Sequence, residues 1–201
     1  MAMERSQEVA LIEAAAAGCR DSADRLIRAY QGSLYAYLLR LSGRPDVAED
    51  IVQDAFVRVL ANLDRFDPRF RFSTWLFTIA KRLFVNASQK FKPVYDSEIV
   101  GGWDGDAQSP SRPAIESEFR GSARDSIGRA LLKLSVEQRE IILLFHQQEW
   151  PIAQIAEYVG MPEGTVKSHL HRGRKRMRRF FEQELERPAE WAMNEGAVER
   201  A

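Results

Sequence analysis

One cysteine among 201 residues leaves Cys19 without a partner for an internal disulfide, which fits a reducing compartment. No apolar run approaches the ~20 residues of a membrane span, so no membrane insertion is expected. The Ala16-Ala17-Gly18-Cys19 run resembles a lipoprotein cleavage site. Against it, Glu4 and Glu8 stand where a signal peptide carries positive charge, and Glu13 interrupts the apolar segment. The expectation is a soluble cytoplasmic protein. There are three histidines, no HExxH, no phosphate-binding glycine loop and no Cys/His cluster. His169 and His171 lie two apart on a helix and point to different faces, which argues against a metal site between them. Neither catalysis, nor a metal, nor a cofactor is expected.

Formal net charge is also absent: 29 Lys/Arg balance 29 Asp/Glu. That zero hides segregation. From Arg65 to Lys92 seven Lys/Arg face one acid, Asp67, whereas from Asp96 to Glu118 six acids face one base, Arg112. From Glu182 onward six Glu face two Arg. Local charge is what a polyanion would feel.

The most informative stretch is Pro151 to Phe180. Ile152, Ile155, Ala156 and Val159 share one helical face, Gly160 breaks the pattern, and Met161-Pro162-Glu163 opens a longer helix. Val166 and Leu170 lie one turn apart and can pack back on the first helix. This is the layout of a helix-turn-helix. The second helix then carries seven cations, Lys167 through Arg179, with no acid between Gly164 and Phe181. A lone basic run can be a solvated face. Joined to this two-helix signature, it points to DNA.

The remainder reads as helix too. Residues 6–17 form a short helix ended at Gly18, and Asp21 or Ser22 can cap the next, whose apolar stripe includes Leu26, Leu34, Tyr37, Leu38 and Leu41. Asp46, with Glu49 as capping-box partner, opens a third helix to about Leu63. Its core face carries Val52, Phe56, Val59, Leu60 and Leu63. Its other face carries Asp50, Gln53, Asp54, Val57 and Arg58. Most such faces simply meet water; Val57 among the charges leaves a docking patch as the alternative. Asp67-Pro68 ends that structure, and Ser73 or Thr74 caps a fourth helix from Trp75 to about Lys90. Here Phe66, Phe70, Phe72, Trp75, Phe77 and Phe84 alternate with Arg65, Arg69, Arg71, Lys81 and Arg82. Core packing explains some rings but not the cations between them. Cations for phosphate and flat rings for exposed bases are what single-stranded nucleic acid requires.

Periodicity lapses over residues 93–122, an acidic Pro/Gly/Ser-rich linker with one short helical segment near Ile115–Phe119. Such a length averages roughly 30 Å end to end and stretches to roughly 90 Å, against ~70 Å for two turns of DNA. A second helical module follows. Ile127, Ala130, Leu131 and Leu134 lie on one helix, and Ser135-x-x-Gln138 is a capping box for the next, which carries Ile141, Ile142, Leu144 and Phe145. The expected organisation is all-α, with helical domains at 1–92 and 123–181 joined by a flexible linker at 93–122. The C-terminal domain carries the helix-turn-helix, and an acidic, poorly ordered tail follows at 182–201.

Three blocks, AEDIVQDAFVRVL (Ala48–Leu60), FRFSTWLFTIAKRL (Phe70–Leu83) and QIAEYVGMPEGTVKSHLHRGRKRMRR (Gln154–Arg179), resemble bacterial RNA polymerase sigma factors of the extracytoplasmic-function group. In this order, with one variable linker, they cover nearly all of residues 7–181 with their supporting helices. The resemblance implies a factor that binds core RNA polymerase and directs it to promoters. Asp50, Gln53, Asp54, Val57 and Arg58 would meet the clamp helices of the largest subunit, and the second module the flap of the second-largest. The loop Phe66–Phe72, with Arg69, Phe70 and Arg71, would hold a flipped base of an opened minus-ten element. Trp75, Lys81, Arg82 and Asn86 would face the strand or its phosphates. At a duplex minus-thirty-five element Lys167, Ser168 and His171 would meet base edges, while Thr165, His169, Arg172 and Arg174 hold phosphates. An anti-sigma factor is a further implied partner. The rival reading is a stand-alone helix-turn-helix repressor or activator.

Overall fold

A helix that buries one apolar stripe against its neighbours fixes the direction of every other side chain on it, and this chain is built from eight such α-helices among its described residues. The computed structural model describes residues 4–90 and 123–186. Contacts divide the chain between Asp104 and Gly105 into two compact units.

The first unit holds α1 (Arg5–Ala16), α2 (Arg20–Ser42), α3 (Pro45–Leu60), a 3-10 turn (Leu63–Arg65) and α4 (Phe72–Lys90). α2 packs on α1 and α3, and α3 on α4. Leu34, Tyr37 and Leu38 of α2 are fully buried with Ala48, Ala55 and Val59 of α3 and Leu76 and Ala80 of α4. The alanines are small where backbones approach. Tyr37 and Phe77 meet at 4.9 Å between ring centroids, and burying each such side chain contributes about 1.5–3 kcal/mol.

Local starts differ from the sequence expectation in three places. α2 begins at Arg20 with Cys19 at its N-cap, and neither Asp21 nor Ser22 caps it; the Ser22 hydroxyl instead donates to Cys19 Sγ at 3.3 Å. α3 begins with Pro45, which needs no N–H partner and is preset to helical φ. The Asp46–Glu49 capping box therefore does not form, and the Asp46 carboxylate accepts from the Arg44 guanidinium. α4 begins at Phe72, three residues before Trp75, and the Trp75 N–H already bonds the Arg71 carbonyl at 3.3 Å.

The second unit holds α5 (Ala123–Leu132), α6 (Val136–His146), α7 (Ile152–Val159) and α8 (Glu163–Glu186). Ser135 caps α6 by accepting from the Gln138 N–H at 3.3 Å. The reciprocal half of that box is missing, for Gln138 Oε1 is buried without a hydrogen-bond partner. Ile127, expected on the core face, is 43% exposed. Arg139 is buried and closes the C-terminal end of α5. Its Nε donates to the Leu131 carbonyl at 2.9 Å, and its Nη2 to those of Leu132 and Leu134 at 3.3 and 3.2 Å. The Leu131 carbonyl also accepts from the Leu134 N–H at 3.0 Å, so Arg139 adds a second bond there and reaches two further carbonyls at and just past the helix end. Burial lowers the guanidinium pKa to about 10.

α7 ends where Gly160 takes a left-handed φ of 70°. The Met161 N–H then bonds the Ala156 carbonyl and the Gly160 N–H that of Glu157, the two bonds of a Schellman turn. Pro162 stands one residue before the first turn of α8 and its carbonyl accepts from Thr165 and Val166. Val166, Leu170 and Gly173 are the inward stripe of α8. α8 also continues to Glu186, past the expected end at Phe181, and Arg129 of α5 donates to Glu184 at 2.5 Å. The expected tail thus starts as helix; residues 187–201, the linker 93–122 and its short helical segment lie outside the described residues.

Gly173 fixes how closely α8 approaches α6, since a Cβ there would stand 2.5 Å from Ile142 Cδ1. That methyl is the mobile end of its side chain. Gly173→Ala is accordingly tolerated, its gain in helix propensity of about 1 kcal/mol offsetting the rearrangement. Gly173→Val lowers stability by about 1–3 kcal/mol. Arg139→Ala removes the guanidinium bonds to the Leu131, Leu132 and Leu134 carbonyls and costs about 2–3 kcal/mol. Urea unfolding of the three variants checks both.

Candidate nucleic-acid interface

Asp67-Pro68-Arg69-Phe70 is a β-turn closed by the Phe70 N–H donating to the Asp67 carbonyl at 3.1 Å. Aspartate suits its first position and proline its second. The Asp67 carboxylate also accepts from the Arg69 backbone N–H at 2.9 Å and from its guanidinium at 2.6–3.0 Å. That guanidinium holds the Asp67 pKa below its ordinary value. The turn points its middle outward: Arg69, Phe70 and Arg71 are exposed, Phe70 by 57%.

Beneath the turn lies a ring cluster. Phe66 stands 5.7 Å from Phe72 and 5.4 Å from Trp75, and Tyr30 of α2 stands 5.2 Å from Phe72. Phe72 is only 1% exposed, so its ring is the floor of the cluster and cannot itself touch a strand, unlike the sequence expectation for it. Phe66 and Trp75 are half-buried, each keeping part of its ring at the surface. Trp75, Arg82 and Asn86 recur at helical spacing on one face of α4, with Arg82 and Asn86 exposed; Lys81 is half-buried on another face.

Two contacts that sequence reasoning missed hold this region. Arg5, at the start of α1, donates from Nη2 to the carbonyls of Pro68 at 2.5 Å and Phe70 at 2.9 Å. Glu8, 8% exposed, accepts from the Tyr30 hydroxyl, and burial first, then Glu8, pushes that phenol's pKa up. No local signal could have found the Arg5 contacts, which join residues 63 and 65 apart.

On α3 the structure leaves Asp50, Gln53, Asp54, Val57 and Arg58 all exposed, Val57 by 67%. They form one outward face opposite Ala48, Ala55 and Val59.

On α8 Lys167, Ser168, His171 and Arg172 line a shallow open depression. Lys167 pairs loosely with Glu163 one turn back, at 3.5 Å, a contact worth little at the surface. The Ser168 hydroxyl donates to the Gly164 carbonyl at 2.9 Å. Thr165 and His169 are half-buried at the edge of this face. Arg174 leans the other way: its guanidinium lies 5.1 Å over the Phe145 ring and its Nε donates to His146 Nε2 at 3.1 Å. Burial first, and the Arg174 charge second, lower the His146 pKa. Lys167 and Arg172 on an open face of the second helix of a helix-turn-helix suit a DNA groove and its phosphates.

These two surfaces define a nucleic-acid-binding protein of two helical units, and the comparisons give the family. Sigma-70 region 2 matches residues 26–91 and Sigma-70, region 4 matches residues 124–177. The chain is 33% identical over 172 residues to the ECF RNA polymerase sigma factor SigW of Bacillus subtilis, covering 81% of this chain and 90% of that one. It is 33% identical over 146 residues to EcfG of Rhodopseudomonas palustris, 72% and 77% of the two chains. Similar solved structures include the sigma factor RpoE of Bartonella quintana in complex with the anti-sigma factor NepR, at TM-score 0.58 and 25% identity, covering 78% and 93%. CnrH in complex with the cytosolic domain of CnrY shares the fold at TM-score 0.64 and 22% identity, covering 88% and 98%. The chain belongs to the sigma-70 family, in its extracytoplasmic-function group, and directs RNA polymerase to promoters. Sigma factors are initiation factors rather than enzymes. Among the described residues no helix is long and apolar enough to cross a membrane.

His146 supplies a pH test. Its folded pKa is lowered, so the neutral ring that accepts from Arg174 is the favoured folded form. The unfolded ring takes its proton first, near pH 6.5. This contribution to stability is complete above that pH and declines as pH falls from there to the folded pKa. Thermal unfolding between pH 7.5 and 5.5 is expected to show the decline, and His146→Gln to flatten it.

Proposed function

We propose that the two units grip one promoter in different ways: the first on melted minus-ten bases, the second on the intact minus-thirty-five duplex. The exposed Phe70 between Arg69 and Arg71 carries the first half. A ring held out at the tip of a fixed turn, with cations on both sides, can stack on a displaced base while its backbone phosphates are met. Phe66 and Trp75 form the wall of that pocket, with Phe72 below them, and Arg82 and Asn86 continue the track along α4. In the second unit Lys167, Ser168 and His171 face the groove, and Thr165, His169, Arg172 and Arg174 hold its walls.

The α3 face around Val57 docks on the clamp helices of the polymerase's largest subunit, and the second unit on the flap of the second-largest. The same exposed surfaces suit an inhibitor. RpoE is seen in complex with an anti-sigma factor, and such a partner is proposed here too, with the cytoplasm as the place of action.

Run-off transcription with purified core polymerase tests the reading. Wild type is expected to initiate at discrete promoters and to bind duplex DNA weakly when alone. Tight operator binding without polymerase, and no initiation with it, would instead mean a stand-alone regulator. Val57→Glu is expected to weaken core binding at least about tenfold, near 1.4 kcal/mol, with little change in melting temperature. Lys167→Ala is expected to weaken duplex binding and lower its salt slope by about one.

A further inference from the structure

We infer that Arg5 is a positioning residue for the loop of residues 66–71, and that its two hydrogen bonds set how well that loop receives an unpaired base. The inference rests on the proposed single-strand reading. The bonds to Asp67 close the turn on itself but do not tie it to α1, and Pro68, Arg69, Phe70 and Arg71 are all exposed, Phe70 by 57%. One planar nitrogen of Arg5 reaches the carbonyls on either side of Arg69, at 2.5 and 2.9 Å. Both ends of the tip are thereby tied to α1.

The clamp is itself aimed. Glu8 Oε2 lies 4.0 Å from Arg5 Nη1, and Glu8 Oε1 accepts from the Tyr30 hydroxyl. The Tyr30 ring rests against Phe72, the floor beneath Phe66 and Trp75. The turn is thus steadied at its backbone by Arg5 and from below by Phe72, and both supports meet at the Glu8–Tyr30 pair. A loop fixed before binding loses less freedom when a base arrives, which raises affinity without any new contact to the strand. Arg5 lies outside every sequence block that marks the family, and its role depends on geometry rather than on charge alone.

The test uses full-length chain in complex with core polymerase. The probe is a fluorescent single strand carrying the minus-ten region of a promoter that wild type transcribes. Arg5→Ala is expected to weaken probe binding about five- to tenfold, while duplex minus-thirty-five binding and melting temperature stay close to wild type. The slope of affinity against salt should stay unchanged. A slope shallower by about one, or full recovery by Arg5→Lys, would make Arg5 a phosphate contact and overturn the inference. Hydrogen exchange on the chain without DNA is the independent arm. Amides of residues 69–71 should exchange faster in Arg5→Ala, and in the same direction, less strongly, in Glu8→Gln. Unchanged exchange and unchanged probe affinity in Arg5→Ala would sink the clamp. A wild-type complex that ignores the single strand would sink the single-strand reading instead, leaving the exchange arm to judge the clamp alone.

Discussion

Burial of one narrow stripe on α8 is the interaction on which the rest of the second unit turns. Seven cations between Lys167 and Arg179 repel one another, and like charges one turn apart cost a few tenths of a kcal/mol per pair. Val166 at 0% and Leu170 at 3% exposure oppose that with about 1.5–3 kcal/mol each. Burial wins, and it does so from one side only. Gly173 lets the stripe settle close against Ile142, so the helix is anchored along a line and its cations are left outside that line, Arg174 lying over Phe145 at its edge. The charge that is a liability for folding is thereby kept where a polyanion can relieve it.

The first unit solves a related problem with rings instead of charges. Aromatic side chains numerous enough for a binding surface would, left alone, collapse into the core. The structure divides them by depth. Phe77 and Phe72 are buried, Phe66 and Trp75 stand half in and half out, and Phe70 stands exposed in the turn that Asp67 closes. Asp67 makes that turn from its side chain as well as its backbone, accepting from the Arg69 N–H and guanidinium. Burial of the lower rings stabilises the fold, and the turn preserves the uppermost for contact.

What the sequence disclosed follows from the range of the forces involved. Helical periodicity located every described helix, since one face of each must be apolar, and it separated the two faces of α3 correctly: Asp50, Gln53, Asp54, Val57 and Arg58 are all exposed. Helix starts were less legible. Pro45 at the first position of α3 overrode a plausible Asp46–Glu49 box, and the turn at Asp67 started α4 at Phe72 rather than Trp75. Phe72 was misjudged for the same reason, because a residue counted as loop is in fact the first inward position of a helix. Arg5 on Pro68 and Phe70, Arg139 on the end of α5 and Arg129 on Glu184 left no trace in the pattern. A guanidinium on a backbone carbonyl or a carboxylate across the fold has no characteristic spacing.

The cations of the second unit also differ in readiness, and on the proposed reading that difference bears on how DNA would be met. A long side chain fixed on binding costs about 0.5–1.5 kcal/mol in lost freedom. Lys167 is held only by a loose pair to Glu163 and would lose most of that freedom on contact. Arg174 has already lost it, being stacked over Phe145 and bonded to His146. Only its Nε is engaged there, and a guanidinium carries five N–H donors, so its Nη groups keep their donors for phosphate. Held in advance, Arg174 suits a fixed contact that sets register on the duplex backbone. The mobile Lys167 suits a role that adapts to what the groove presents. On the proposed reading, the helix thus offers DNA some cations already held by the fold, Arg174 on α6 among them, and others such as Lys167 that are free to adapt.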